Sequence, residues 1–223
     1  LESYRTILAS YPQALVYPTA RIDDTPGIHG RWDHHIAIDQ GLRDAGLPGL
    51  RVALVDPGSV TLGNFVYGHT RDDIAYKFGQ CRDRGFGPSI ACFEPGFIRH
   101  VLDYRDKGLL PAGSLVKLYF SDGHPLFGLP PTPWAFETYF RLIEDTGLNW
   151  AVAVLGGDVV QTGLAQMAID RGGHVRVGLE DFHSPNRTPH NAELVAEVAD
   201  LARASGRGVA TCDDARRILF TNP

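Results

Sequence analysis

Gly172-Gly173-His174-Val175-Arg176-Val177-Gly178-Leu179-Glu180-Asp181 reads as a β-strand that ends in charge. Val175, Val177 and Leu179 alternate with His174, Arg176, Gly178 and Glu180, the period of a strand with two unlike faces. One face is aliphatic and suits packing against helices. The other carries an arginine and a carboxylate four residues apart, about 13 Å along an extended strand. Asp181 opens the next loop. Desolvation costs several kcal/mol per ion, so charge on a buried face must pair, bind a metal or meet a ligand in an open cavity.

Working outward, five more strand-helix units can be read. Ala14 to Thr19 is a short apolar run of strand type, followed by a Gly/Asp/Pro-rich loop to Gly30 and a helix from Arg31 to Ala45. Arg51 to Val55 is a second strand, ending in the polar loop Asp56 to Phe65. Thr70 caps a helix that Gly85 stops, with Asp72 and Asp73 near its positive end. Ser89 to Phe93 and Leu115 to Phe120 are strands three and four, each followed by a helical pattern. The second of those helices opens at Thr132-Pro133 and ends near Gly147. Trp150 to Leu155 is nearly all apolar, as parallel strands covered on both faces are. A helix over 162–170 leads to the opening decapeptide. The last long helix carries the stripe Leu194, Val195, Val198 and Leu201, and Asp213 starts a short final one.

Regular strand-helix alternation means a parallel α/β fold. Polar residues follow nearly every strand: Thr19, Asp56 to Asn64, Glu94, Ser121 to His124, Asp158, and Glu180 with Asp181. A site ringed by every strand end is the arrangement of a (β/α)8 TIM barrel, whereas a doubly wound sheet gathers its site at one crevice. No dinucleotide fingerprint and no Walker loop is present. Six units are two short of a barrel. The expectation is one barrel domain over residues 1–223, with its first two strands, about 60 residues, lying before Leu1.

Composition agrees with a globular enzyme-sized chain: 223 residues, 43% hydrophobic, 21% charged. A net charge of −5 gives no electrostatic footprint for nucleic acid. No apolar run approaches the ~20 residues of a membrane span. Three scattered cysteines suggest reduced thiols and a cytoplasmic setting.

Several residues are candidates for chemistry. Glu180 stands where a strand's C-terminal end enters a barrel mouth, and suits metal or substrate contact or else a salt bridge to Arg176. Arg176 is a barrel-interior ion-pair partner or an electrostatic partner for developing charge. Hydroxyls at Ser59, Thr61 and Thr19 can bind a carboxylate. Glu94 lines a pocket or caps a helix. Asp122 and His124 follow the fourth strand, and His34-His35 sit on the first helix.

The decapeptide, together with His190-Asn191-Ala192-Glu193-Leu194-Val195, Gly206-Arg207 and Ala210-Thr211 to Leu219, resembles the C-terminal signature of the beta-keto acid cleavage enzymes. The resemblance implies a (β/α)8 barrel, a homo-oligomer, and retro-Claisen exchange of a beta-keto acid with acetyl-CoA to give acetoacetate and an acyl-CoA. It implies that Glu180 is a ligand of a divalent, zinc-like metal and that Arg176 and Asp181 are catalytic, Asp181 as general base. It places Ser59 and Thr61, and more weakly Thr19, at the substrate carboxylate, and Glu94 at the substrate tail. The family's His-x-His zinc pair has no match here. The segment Ser121 to Pro125 departs from the family's glycine-rich pattern, which leaves open an aldolase-like lyase without CoA. A non-catalytic homologue that binds a small acid is the third alternative.

Overall fold

The computed structural model describes residues 1–21 and 27–220. The chain opens with helix α1 (Glu2–Ser10), an extended segment, and the helices α2 (Gly27–Trp32) and α3 (His34–Asp44). Strand β1 (Val52–Val55) follows, then a hairpin of β2 (Val60–Leu62) and β3 (Phe65–Tyr67). Helix α4 (Arg71–Arg84), β4 (Gly87–Cys92), α5 (Pro95–Asp106), β5 (Leu115–Ser121), α6 (Pro133–Phe140) and β6 (Asn149–Leu155) alternate regularly. The chain ends through α7 (Leu164–Asp170), β7 (His174–Val175), α8 (Asn191–Ala204) and α9 (Cys212–Phe220).

The main sheet has the order β1-β4-β5-β6-β7, and every pairing in it is parallel. Strand order follows chain order with no reversal. The sheet therefore lacks the switch point of a doubly wound fold and is wound as a barrel is, over five strands. It is an open α/β sheet among the described residues, with β1 and β7 at its two edges.

Local signals explain most helix ends. Thr70 and Asp73 form a reciprocal capping box at α4: Thr70 Oγ1 accepts from the Asp73 N–H at 3.1 Å, and Asp73 Oδ2 accepts from the Thr70 N–H at 2.8 Å. Gly85 ends that helix with φ of 68°, a conformation that a side chain would penalise. Pro133 fills the first turn of α6. Helix α6 is regular only to Phe140, and irregular turns carry the chain to Gly147.

Three expected elements differ. The helix expected over Arg31 to Ala45 is two helices meeting at Asp33, whose carboxylate takes hydrogen bonds from Tyr76 at 2.6 Å and His29 at 3.1 Å. Ala14 to Thr19 forms no strand and joins no ladder. Histidine side chains take up its carbonyls instead: His35 Nε2 lies 3.2 Å from Pro18 O, and His34 Nε2 lies 2.7 Å from Thr19 O. The hairpin β2–β3 replaces an expected loop. Its signal was present as Val60-Thr61-Leu62 and Phe65-Val66-Tyr67 flanking Gly63-Asn64, a turn pair between two short strands.

The core lies between the sheet and its helices. Phe136 and Phe140 of α6 stack at 5.8 Å and sit 6.0 and 5.4 Å from the Trp150 ring of β6. Phe136 is fully buried. Phe136→Ala should lower unfolding free energy by about 3–5 kcal/mol, the range for removing a buried aromatic ring. Urea denaturation checks this, and a loss under about 1 kcal/mol would show that α6 does not anchor the sheet.

Candidate active site

Parallel pairing sets which side chains share the concave face. Ala91 pairs with Lys117, Lys117 with Ala151, and Tyr119 with Ala153. Ala151 in turn pairs with His174. Lys117 and Tyr119 of β5 therefore face the same way as the alanines of β6. Those alanines carry no bulk, and the Arg176 guanidinium reaches across to lie 5.8 Å over the Tyr119 ring.

The strand reading of the decapeptide holds only at its start. The Arg176 N–H still donates to Val152 O at 2.8 Å, but the chain turns at Gly178, whose carbonyl accepts from the N–H groups of Asp181 and Phe182 at 3.1 and 2.9 Å. A glycine without Cβ lets the strand break there. The turn is pinned to the loop after β6, since the Gly156 N–H donates to Asp181 O at 2.8 Å and the His183 N–H to Gly157 O at 3.0 Å. The separation of about 13 Å expected for an extended strand is thus corrected. Arg176 Nη2 meets Glu180 Oε2 at 2.5 Å, and its Nε meets Asp181 Oδ2 at 2.5 Å.

The two carboxylates are unlike. The Asp181 side chain is 6% exposed and that of Glu180 is 67% exposed. Burial raises the Asp181 pKa above its ordinary value, and the Arg176 ion pair offsets only part of that. Burial acts against the Arg176 charge, but Tyr119, Asp181 and Tyr17 outweigh it and hold its pKa above the usual value. The pair is a permanent cation beside a carboxyl made more basic by lost water.

A cleft of about 450 Å³ opens on this face, between the strand ends and the segment leading from α1. Tyr17, Asp56, Lys117, Tyr119, Arg176 and Glu180 supply its polar lining. Tyr17 accepts from Ser89 Oγ at 2.9 Å. Asp56 is buried at the end of β1, accepting from the Tyr67 hydroxyl at 2.7 Å and lying 3.9 Å from Lys77. Burial lowers the Lys77 pKa to about 8, with Asp56 opposing the shift. A second cavity of about 470 Å³ lies against Asp122 to Pro125, Gly156 and Glu180 to His183, so Glu180 borders both. A groove of about 570 Å³ runs between α4 and α5 and receives none of the candidate residues.

Of the other sequence candidates, Thr19 lines the cleft. Ser59 and Thr61 do not: Ser59 Oγ is bound to the backbone of His69 and Thr61 stands on the hairpin. Glu94 accepts from the Gly128 N–H at 2.8 Å and ties two loops together. His35 is buried between Trp32 O and Pro18 O, and burial lowers its pKa to about 4. Asp56 was read only as one of the polar residues at strand ends, and Lys117, Tyr17 and Tyr119 were not singled out. A lysine inside the apolar run Leu115 to Phe120 was the signal for Lys117.

Among the described residues, no group of three His, Cys, Asp or Glu is placed to hold a metal ion. Glu180 is engaged by Arg176. These residues by themselves do not make the zinc-like centre that the resemblance implied.

The fold and this cleft define an α/β protein with a charged site at the C-terminal ends of parallel strands. The chain belongs to the beta-keto acid cleavage enzyme family, whose sequence model matches residues 2–220. That match runs over nearly the whole chain and corrects the expectation of a chain marked by a lacking N-terminal part. The expectation rested on six strand-helix units against eight and on the unmatched His-x-His pair, and neither measures how much of the chain the family model matches. A 3-keto-5-aminohexanoate cleavage enzyme of Fusobacterium nucleatum is 32% identical over 174 residues, 75% of this chain and 60% of that protein. A 3-oxoadipate:acetyl-CoA acetyltransferase of Cupriavidus necator is 27% identical over 185 residues, 80% of this chain and 64% of that protein. The chain thus spans under two thirds of the length of these relatives. The apo structure of ObcA superposes with a TM-score of 0.71 at 16% identity, over 96% of this chain and 52% of that one. A ternary complex of ObcA with a C4-CoA adduct and oxalate gives 0.66 at 16% identity, over 97% and 54%.

Tyr67→Phe removes the hydroxyl donor to buried Asp56 and should cost about 1–3 kcal/mol of stability. Chemical denaturation at neutral pH checks this, and an unchanged midpoint would mean that Asp56 does not depend on Tyr67.

Proposed function

We propose that this chain works in retro-Claisen acyl exchange, in which a beta-keto acid and acetyl-CoA give acetoacetate and a new acyl-CoA. The observation that carries the reading is the buried Asp181 at the second cavity, clamped by the Arg176 that lines the cleft, in a chain of this family. Asp181, with its raised pKa, would take a proton from the substrate and return it, as a general base does best when its pKa lies nearer the working pH. Arg176 would hold the aspartate in place and face negative charge developing on the substrate. Thr19 would contact the acid in the cleft. The cavity beyond Glu180 gives room for the thioester partner.

The reading takes residues 1–223 as one domain, its singly wound sheet as barrel-type, and its setting as cytoplasmic. No described helix is long and apolar enough to cross a membrane. Glu180 stays in the reading as a contact at the ridge between the two cavities, and elemental analysis of the wild type against Glu180→Ala tests whether it also holds metal.

The experiment is product analysis with 3-keto-5-aminohexanoate or 3-oxoadipate, with and without acetyl-CoA. The expected result is acetoacetate formed only with both substrates. Asp181→Asn should lower kcat by about 10²–10⁴-fold, the range for losing a positioned base. In the wild type, kcat/KM should rise with pH through an acid limb set above the ordinary aspartate value of about 3.9, since the ionised carboxylate is the active form. Cleavage without acetyl-CoA would point to the lyase, and no turnover of either acid would leave a binding role.

A further inference from the structure

Lys117 occupies the middle of β5 and is 3% exposed. Its neighbours along the ladder are Ala91 and Ala151, which offer it no side-chain polar atom. The negative groups in and beside the cleft are engaged elsewhere. Asp181 and Glu180 are hydrogen-bonded to Arg176, and Asp56 is held by Tyr67 with Lys77 beside it. Among the described residues, no carboxylate lies within the 4.0 Å of an ion pair with the Lys117 ammonium.

What the ammonium does have is two tyrosines: a side-chain hydrogen bond with Tyr17 and the faces of two rings. Its Nζ lies 5.8 Å from the Tyr17 ring centre and 5.6 Å from that of Tyr119. Ring faces offset only part of the cost of taking an ammonium out of water. The remainder calls for an anion, and Lys117 lines the cleft where one can enter. Tyr119 also lies under Arg176, at 5.8 Å, so a molecule of a few carbons can touch both cations. Tyr17 registers the same field: burial acts to raise its pKa, yet Lys117, with Ser89 and Arg176, lowers it overall.

We propose that Lys117 is an anion anchor, whose ammonium pairs with the carboxylate of a small keto acid and seats that acid over Tyr17 and Tyr119 with its reacting carbons toward Arg176 and Asp181. This rests on the cleft being the substrate site. It assigns Lys117 to binding and leaves proton transfer to Asp181.

The test is calorimetric binding of acetoacetate and of its neutral methyl ester, with acetyl-CoA absent. Wild type should bind acetoacetate at least tenfold more tightly than the ester. Lys117→Met should lose at least tenfold in acetoacetate affinity and no more than about twofold for the ester, while Lys117→Arg keeps most of the preference for the acid. Circular dichroism confirms that each variant is folded, and Lys117→Gln replaces the methionine variant if that one is not. In turnover the loss should appear in KM, whereas Asp181→Asn should lose kcat and still bind acetoacetate. An unchanged acetoacetate affinity in folded Lys117→Met or Lys117→Gln overturns the anchor, even if wild type turns over beta-keto acids. Borohydride trapping of a keto acid on Lys117 also overturns it, because the residue would then react covalently. Tight binding lost in the variant, with no turnover by wild type, would uphold the anchor and sink the exchange reaction instead.

Discussion

The rest of the site depends on one guanidinium. Arg176 leaves the last strand pointing across the face of the sheet; its Nε and Nη2 donate to the two oxygens of Asp181, and Nη2 also donates to Glu180. A planar fork with several donors can do this, and a lysine cannot. Without Arg176, the turn at Gly178 would place Asp181 in a dry environment with only the more distant Lys117 as counter-charge. Breaking such a buried pair typically costs about 3–5 kcal/mol, so the interaction sets local structure as well as charge. The small alanines of β6 are part of the same arrangement, since larger side chains there would block the path from Arg176 to Tyr119.

Placement in the sheet explains why similar residues differ in character. Asp181 is enclosed by loops from two strands and loses water, which raises its pKa. Glu180, one residue earlier, stands on a ridge between two cavities and keeps most of its exposure. Lys117 and Lys77 are both deeply buried, but Lys77 donates to Asp56 O at 2.9 Å while Lys117 faces aromatic rings and open cleft. A buried charge with local partners serves the fold. One that faces a cavity is available to a ligand.

Much of this was legible in the sequence. The repeating strand-helix pattern gave the parallel sheet, and Thr70 with Gly85 marked both ends of α4. Arg176, Glu180 and Asp181 stood out because charge on a strand demands a partner. What could not be read was distance. Strand periodicity assumes an extended chain, and the turn after Gly178 converted a long separation into direct contact. Ala14 to Thr19 looked like a strand because it is apolar, but apolar composition does not reveal whether a neighbour will supply the ladder. Ser59 carried a suitable hydroxyl that the backbone of His69 had already claimed. Lys117 was legible in principle and was hidden by the apolar residues around it.

Burial makes Asp181 a stronger base than an ordinary aspartate, and Arg176 holds it at the second cavity, beside the cleft. The most direct measurement is an NMR titration of the Asp181 carboxyl carbon in aspartate-labelled protein, with Asp181→Asn to assign the signal and Arg176→Gln as comparison. The account predicts a midpoint above the model-peptide value of about 3.9 in the folded protein, and a further rise when Arg176 is replaced. A midpoint at or below that value, or no change on replacing Arg176, would contradict it.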